Sequence, residues 1–346
     1  MSTTPPGRSK RSIGLDLEVP EGREVVLKLA EQADVFLTSF LPAARRKLRI
    51  EVEDLRAVNP AIIYARGSAH GQKGAEAESG GFDALTFWMR CGAGSGVLAS
   101  ASDDLPQQPG AGFGDVQTGM SLAGGVLGAL FHRLRTGEAL EVDSSLLAQG
   151  VWAMNGALVT ANLSGWDETP KHYRDRRQAV NPLMNPYRAS DGRWLILGMV
   201  QPDRHWPTLC KAIGRPELAD DPRFADMKAR RENNTVLIAL LDEIFASRPL
   251  PEWEEILSGQ DGPWNVVQRV GDLNRDQQVW DNGYLQVVDY GGGRSLTMGS
   301  APVQFNGEPS VLRRAPEHGE NTEEVLLEIG LEWDDIERLR GVKAIA

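Results

Sequence analysis

Apolar residues recur at helical spacing from Glu21 to Gln32, with Val25, Val26, Leu29 and Ala30 on one side. A short apolar run, Asp34 to Thr38, follows and reads as a strand, and Ala61 to Ala65 reads as a second. Between them, Arg45 to Val58 is predicted to be one helix ending at Asn59-Pro60, because proline disfavours helical backbone in the residue before it. Strand, helix, strand at these lengths predicts a βαβ unit in a parallel sheet. Met120 to Arg135 is again helical. Ala123, Val126, Leu127, Leu130 and Phe131 share a side, while Gly124, Gly125 and Gly128 leave another side bare. Each glycine costs about 1 kcal/mol against alanine in a helix, so the three together point to close approach of another backbone. His132, Arg133 and Arg135 suit the last turn, and Gly137 is a natural stop. Asp143 is placed to cap a following helix that carries Leu146, Leu147, Val151 and Trp152.

The pattern changes after Trp166 into a polar stretch rich in Arg174, Asp175, Arg176 and Arg177. A second unit then begins with Tyr187-Arg188, a turn at Ser190-Asp191-Gly192 and a strand at Trp194–Leu197. Helices are predicted at Trp206–Ile213 and Asn234–Ala246. After about Gly283 a strand-like run, Tyr284–Val288, precedes a capped helix beginning at Asn321.

Length agrees with two units, since 346 residues exceed what a single core usually supports. A hydrophobic share of 41% and a charged share of 25% are ordinary for a soluble globular chain. The formal net charge of −11 argues against nucleic acid or an anionic membrane as partner, although a small polyanion needs only a local positive patch. Cys91 and Cys210 stand far apart and read as buried thiols, with neither a disulfide framework nor a metal-like spacing. The polar, proline-bearing start has no apolar signal core. No run approaches the roughly 18 apolar residues of a membrane span. A cytoplasmic location is expected.

The chemistry concentrates at Gly114-Asp115-Val116-Gln117-Thr118-Gly119, just before the glycine-rich helix. An aspartate there has two possible jobs. It can cap free backbone N–H groups, where alanine would cost about 1 kcal/mol. Alternatively, the positive helix end keeps the carboxylate ionised and positioned to attack an activated carbonyl, with nearby N–H groups steadying the oxyanion. Spacing alone leaves both open. His70 reads as a turn histidine and His132 as a helix-end residue, while His172, His205 and His318 show no pairing pattern. The Gly-x-Gly-x-x-Gly fingerprint of dinucleotide binding is missing between strand and helix.

Taken in order, Lys10-Arg11-Ser12-Ile13, Leu15-Asp16, Pro20-Glu21-Gly22-Arg23, Ala33-Asp34-Val35, Asn59-Pro60 and Gly71-Gln72-Lys73-Gly74 form a set that continues with Phe82-Asp83, Gly114-Asp115, Thr118-Gly119, His132-Arg133, Thr136-Gly137 and Val142-Asp143. Asp221-Pro222-Arg223-Phe224 and Gly319-Glu320-Asn321-Thr322 complete it. Each piece is weak alone, but the ordered set resembles the class III CoA-transferases of the formyl-CoA and carnitine CoA-transferase type, nearly from end to end. The resemblance implies a large Rossmann-like α/β domain with a parallel sheet, a smaller α+β domain and an interlocked dimer. The large domain would take residues 1–165 and 284–346, with a linker at 166–185 and the small domain at 186–283. It also implies coenzyme A as thioester substrate, a carboxylic acid as acceptor and no metal. Asp115 takes the role of the covalent nucleophile, forming first an acyl anhydride and then an aspartyl-CoA thioester. Leu15, Asp16, Leu17, Glu18, Ser39, Phe40, Lys47, Phe82 and Asp83 match positions that contact CoA or border the site.

Several positions depart from the family pattern. Glu18 stands at a frequently basic or neutral position, Ser39 replaces an asparagine, and Lys47 replaces an arginine, losing the bidentate fork, with Arg45 and Arg46 as candidate substitutes. Phe82 occupies the place of the histidine that shuttles the α-proton in 2-methylacyl-CoA racemases, and a phenyl ring carries no such proton. The expected first strand-turn-helix unit of the family has no counterpart before Lys10, so either the true start lies upstream or the chain is naturally short, which raises the alternative of a half-active subunit completed by a homologous partner. No glycine-rich run precedes Asn181-Pro182-Leu183, which disfavours formyl and oxalate as substrates. Trp88 and Trp152 either line an apolar acyl pocket or pack in a core. The acyl group itself is not legible.

Overall fold

The computed structural model describes residues 7–96, 109–165 and 175–345. The reading of the first six residues, of His172 and of the linker up to residue 174 lies outside the described residues. Two compact units emerge. One comprises residues 7–94, 109–157 and 274–345, and the other residues 158–165 and 175–273 together with 95–96.

In the first unit, α1 (Pro20–Gln32) starts with proline at its first turn and buries Val25 and Ala30. Strand β1 (Val35–Thr38) follows. The single helix expected at Arg45–Val58 is two helices, α2 (Pro42–Leu48) and α3 (Val52–Arg56). The break is at Arg49, whose φ of 54° is left-handed and ends the first helix. Glu51 and Asp54 then form a reciprocal capping box that starts the second. Strand β2 (Ile63–Ser68) runs parallel to β1, pairing Val35 with Ile63 and Thr38 with Arg66. It is the central strand of three, and Ile63, Tyr64 and Ala65 are fully buried. The buried Tyr64 hydroxyl donates to the Ile50 carbonyl at 2.8 Å, and burial pushes its pKa up to about 12.

A π-helical segment, Ala84–Arg90, buries Thr86, Phe87 and Trp88. Helix α4 spans Phe113–Thr136, seven residues longer at its start than the spacing predicts. Gly112, at φ 80°, turns the chain into it, so the Gly114-Asp115 pair belongs to the first helical turn rather than preceding the helix. Gly137, at φ 79°, ends it as expected. Of the three central glycines, only Gly125 has a close neighbour: a side chain there would meet Val142 at 2.7 Å. Nothing described lies within 4 Å of the corresponding positions at Gly124 and Gly128.

Strand β3 (Glu141–Ser145) pairs parallel with β2 and completes the order β1-β2-β3. Asp143 lies in this strand and does not cap a helix. Its register partner is Arg66, whose guanidinium donates to both Asp143 oxygens at 2.6 and 3.0 Å. The cap of α5 (Leu146–Ala153) is Ser145, which accepts from the Ala148 N–H at 3.1 Å. Trp88 is core and Trp152 is 77% exposed. Cys91 is half-buried rather than buried, its thiol directed at the Thr86 and Leu147 carbonyls.

The second unit opens with β4 (Pro186–Arg188) and β5 (Trp194–Leu197), joined by the predicted turn, with β6 (Trp264–Val266) on the other side of β5. All pairings are antiparallel. Helices α6 (Pro202–Ala212), α7 (Asn234–Phe245) and α8 (Leu250–Ser258) pack Trp206, Leu209, Leu241, Phe245 and Trp253 into one core that also holds Cys210.

Residues from 274 onward belong to the first unit. There β7 (Leu285–Asp289) and β8 (Ser295–Gly299) form a hairpin, and α9 (Thr322–Glu328) and α10 (Trp333–Gly341) pack Leu326, Ile336 and Leu339 against Val25. Asn321 starts α9 without capping it. Its side-chain oxygen instead accepts from the Ser12 N–H at 3.0 Å, tying the two ends of the described chain together.

Candidate active site

The carboxyl ends of β1 and β2 and the first turns of α4 enclose a cavity of about 540 Å³ within the first unit. This volume falls in the range typical of small-molecule sites. Its walls come from Leu37 of β1, Ser39 and Phe40 just after it, Pro42 and Arg45 of α2, Gly67 to Ala69 at the end of β2, and the loop Ser79–Phe82. The floor is Asp115, Thr118, Gly119 and Leu122 of α4 with Leu146. Leu37, Phe40 and Phe82 are large apolar side chains left 60%, 50% and 75% exposed, an arrangement suited to a partly apolar ligand.

Asp115 sits at the third position of α4 and makes no capping bond. The N–H groups around it are already engaged. Gly114 N–H donates to Asp83 Oδ1 at 2.9 Å, and Val116 N–H donates to the Gly112 carbonyl at 3.0 Å. Neither of these two N–H groups donates to the Asp115 carboxylate. Partial burial, and then the neighbouring Asp83 carboxylate, raise the Asp115 carboxyl above the ordinary aspartate value. Thr118 donates its hydroxyl to the Gly114 carbonyl at 2.7 Å, fixing the turn that carries Asp115.

The structure gathers Ser39, Phe40, Phe82 and Asp115 around the cavity. Asp83 is 6% exposed and lies behind the lining, against Gly114. Leu15, Asp16, Leu17, Glu18 and Lys47 do not line the cavity. Leu15 bridges to Ile345, Asp16 accepts from the Glu18 N–H at 2.9 Å, and Glu18 pairs with Lys47 at 2.5 Å on the exposed side of α2. Neither arginine beside Lys47 is free to replace it. Arg45 is buried against Glu51 and the Phe40 carbonyl, and Arg46 is forked onto Glu78. His70 lies near Arg90 and outside the cavity lining.

Sequence reasoning missed Gly67 to Ala69 and the Ser79–Gly81 part of the loop, and it named Arg45 only as a substitute for Lys47. The Gly80-Gly81 pair was the available signal: a side chain at Gly81 would strike Thr86 and Ala69.

The chain matches the profile of CoA-transferase family III over residues 4–322. It belongs to that family. As a class III CoA-transferase it is 28% identical to (R)-2-hydroxy-4-methylpentanoate CoA-transferase of Clostridioides difficile, over 97% of this chain and 83% of that one. It is 32% identical to succinyl-CoA:mesaconate CoA-transferase of Haloarcula hispanica, over 94% and 81%. A crystal structure of Rv3272 from Mycobacterium tuberculosis superposes with a TM-score of 0.78 at 28% identity, covering 92% of this chain and 84% of that one. Family membership makes CoA thioesters and carboxylic acids the substrates, and the relatives named above are CoA-transferases, which does not favour the racemase alternative. No helix among the described residues is long and apolar enough to cross a membrane.

Proposed function

We propose that this class III CoA-transferase moves CoA from an acyl-CoA thioester to a carboxylic acid through a covalent intermediate on Asp115. One observation carries the reading. Among the cavity-lining residues Asp115 is the sole carboxylate, and none is histidine, cysteine or lysine. A serine or threonine of the lining would have only Asp115 as its base, whereas Asp115 as nucleophile needs none. Asp115 attacks the thioester carbonyl, the C–S bond breaks, and CoA leaves as thiolate. That thiolate then attacks the Asp115 carbonyl of the resulting anhydride, releasing the donor acid and leaving an aspartyl-CoA thioester. An incoming carboxylate reverses the two steps, so the energy of the thioester is conserved.

The cavity takes the thioester end of the substrate, with Ser39, Phe40 and Phe82 against it. Lys47, further along α2, meets the phosphate end by exchanging its Glu18 partner for the ligand. Asp16 and its neighbours Leu15 and Leu17 border that end. The expected homodimer is supported by the apolar residues that α4 leaves at the surface, Leu127, Phe131 and Leu134 among them. Light scattering on the purified chain tests it, and a monomer at micromolar concentration would exclude it.

The functional test is exchange of labelled CoA between two acids by the purified chain. Exchange that disappears in Asp115→Ala, with an unchanged circular dichroism spectrum, supports the reading. Exchange that persists in this variant overturns it. Activity that appears only with a co-expressed homologue would instead favour the half-active subunit.

A further inference from the structure

We infer that Asp83 is a positioning residue that drives acylation of Asp115: a buried carboxylate, anchored on the Gly114 N–H, sets a fixed negative charge beneath the residue that takes the acyl group. The inference rests on Asp115 being the nucleophile.

Three observations place it. Asp83 Oδ1 accepts from the Gly114 N–H at 2.9 Å, one residue before Asp115. Asp83 is 6% exposed, and among the described residues its Oδ2 has no hydrogen-bond partner. A buried carboxylate oxygen without a donor is costly and calls for a reason. Finally, the geometry is locked. A side chain at Gly114 would collide with Asp83 Oδ1 and the Phe87 ring, and Asp83 leads directly into the π-helical segment whose Phe87 and Trp88 are core. Irregular helical turns of this kind recur at functional sites.

The charge then has a direction. Before reaction, two carboxylates adjoin the first turn of α4: Asp115 within it and Asp83 bonded to its Gly114 N–H. On acylation, Asp115 becomes a neutral anhydride, the C–O bond forms as the C–S bond breaks, and the negative charge departs on the CoA thiolate. Repulsion by Asp83 is present on the reactant side and absent on the product side, so it favours the acyl-enzyme. The same repulsion contributes to the raised basicity of Asp115. Among the described residues the neighbouring cations are already paired. Arg90 is committed to Glu76 beside His70, Arg45 to Glu51, and α5 carries no charge.

Single-turnover acylation tests the inference. Wild type, Asp83→Asn and Asp115→Asn are mixed with succinyl-CoA or 4-methylpentanoyl-CoA across a pH series. Each mixture is quenched into hydroxylamine at one fixed pH, and the hydroxamate on the Asp115 peptide is measured by mass spectrometry. Asparagine keeps the acceptor for Gly114 and loses only the charge. Asp83→Asn is expected to move the acid limb to lower pH and to lower the labelled fraction at neutral pH about tenfold, with KM for the thioester unchanged. Labelling equal to wild type with the same limb overturns the inference and leaves Asp115 as nucleophile. If Asp83→Asn does not fold, Asp83→Ser, which keeps an oxygen acceptor for the Gly114 N–H and loses the charge, decides by the same two readouts. Absence of any Asp115 hydroxamate in a wild type that exchanges CoA removes the underlying reading and the inference together.

Discussion

The two units bury their apolar residues in different ways. The second gathers twenty buried residues into one continuous core, with Trp206, Trp253, Tyr187, Phe224 and Phe245 almost wholly enclosed. The first divides its burial among three small clusters and leaves much of its longest helix uncovered, with Leu127 67%, Phe131 61% and Leu134 84% exposed. The cavity and Asp115 belong to the first unit, the one with divided burial. A unit closed around a single core has no reason to keep a partly buried carboxylate beside another. The unit that does keep one departs from good packing and regular helix at that spot, as functional sites often do.

Substitutions sharpen this contrast, beginning with the largest effect. Asp115→Asn should reduce kcat by more than about 10³-fold, since a covalent nucleophile acts as a unit with the rest of the site. Its thermal midpoint at neutral pH should not fall. A carboxyl raised in the folded state contributes stability that is present below the unfolded aspartate value and is lost as pH rises through the folded one. Removing the charge therefore leaves the variant equal to or slightly more stable than wild type near neutrality, with the difference closing in acid. A melting series against pH checks the sign.

Trp253→Ala should do the reverse. It removes a ring packed edge-on against Phe245 at 5.0 Å and an indole N–H donated to the Phe245 carbonyl at 2.8 Å. A loss of about 3–5 kcal/mol is expected in denaturant titration, with the folded fraction still active. Gly114→Ala falls between the two, costing about 1–3 kcal/mol by overpacking against Phe87 and displacing Asp83, so stability and acylation should decline together. Ser145→Ala, which deletes the cap of α5, should cost about 1 kcal/mol and little activity. The smallest effect is Lys47→Ala. Its exposed pair with Glu18 is worth less than about 1 kcal/mol, so a marked rise in KM for acyl-CoA without loss of stability would mark Lys47 as a phosphate contact.

The periodicity of the sequence placed α1, β1, β2, the β4–β5 turn and α7 because local spacing and tertiary burial agree there. It failed where a partner outside the segment decides. Asp143 looked like a cap but is captured by Arg66 across the sheet, leaving the cap to Ser145. Helix α4 was read too short because Phe113 and Gly114 are poor helix formers, and the turn that starts the helix depends on Gly112 adopting a positive φ. At the site, Asp115 was visible from its glycine-rich setting. Asp83 was visible only as a neighbour of Phe82, since its bond to Gly114 joins residues 31 positions apart. The upward shift of Asp115, caused first by partial burial and then by the Asp83 charge, was not legible from the motif.

The most direct measurement of the central claim follows an oxygen atom. Turnover of acyl-CoA with an acceptor acid labelled in its carboxylate by heavy oxygen should deposit one labelled oxygen on Asp115, because the acceptor attacks the aspartyl-CoA carbonyl and leaves that atom behind when CoA departs with the acyl group. Mass spectrometry of the peptide containing Asp115 should show the label only when thioester and labelled acid are both present. Sustained CoA exchange with an unlabelled Asp115 would contradict the account.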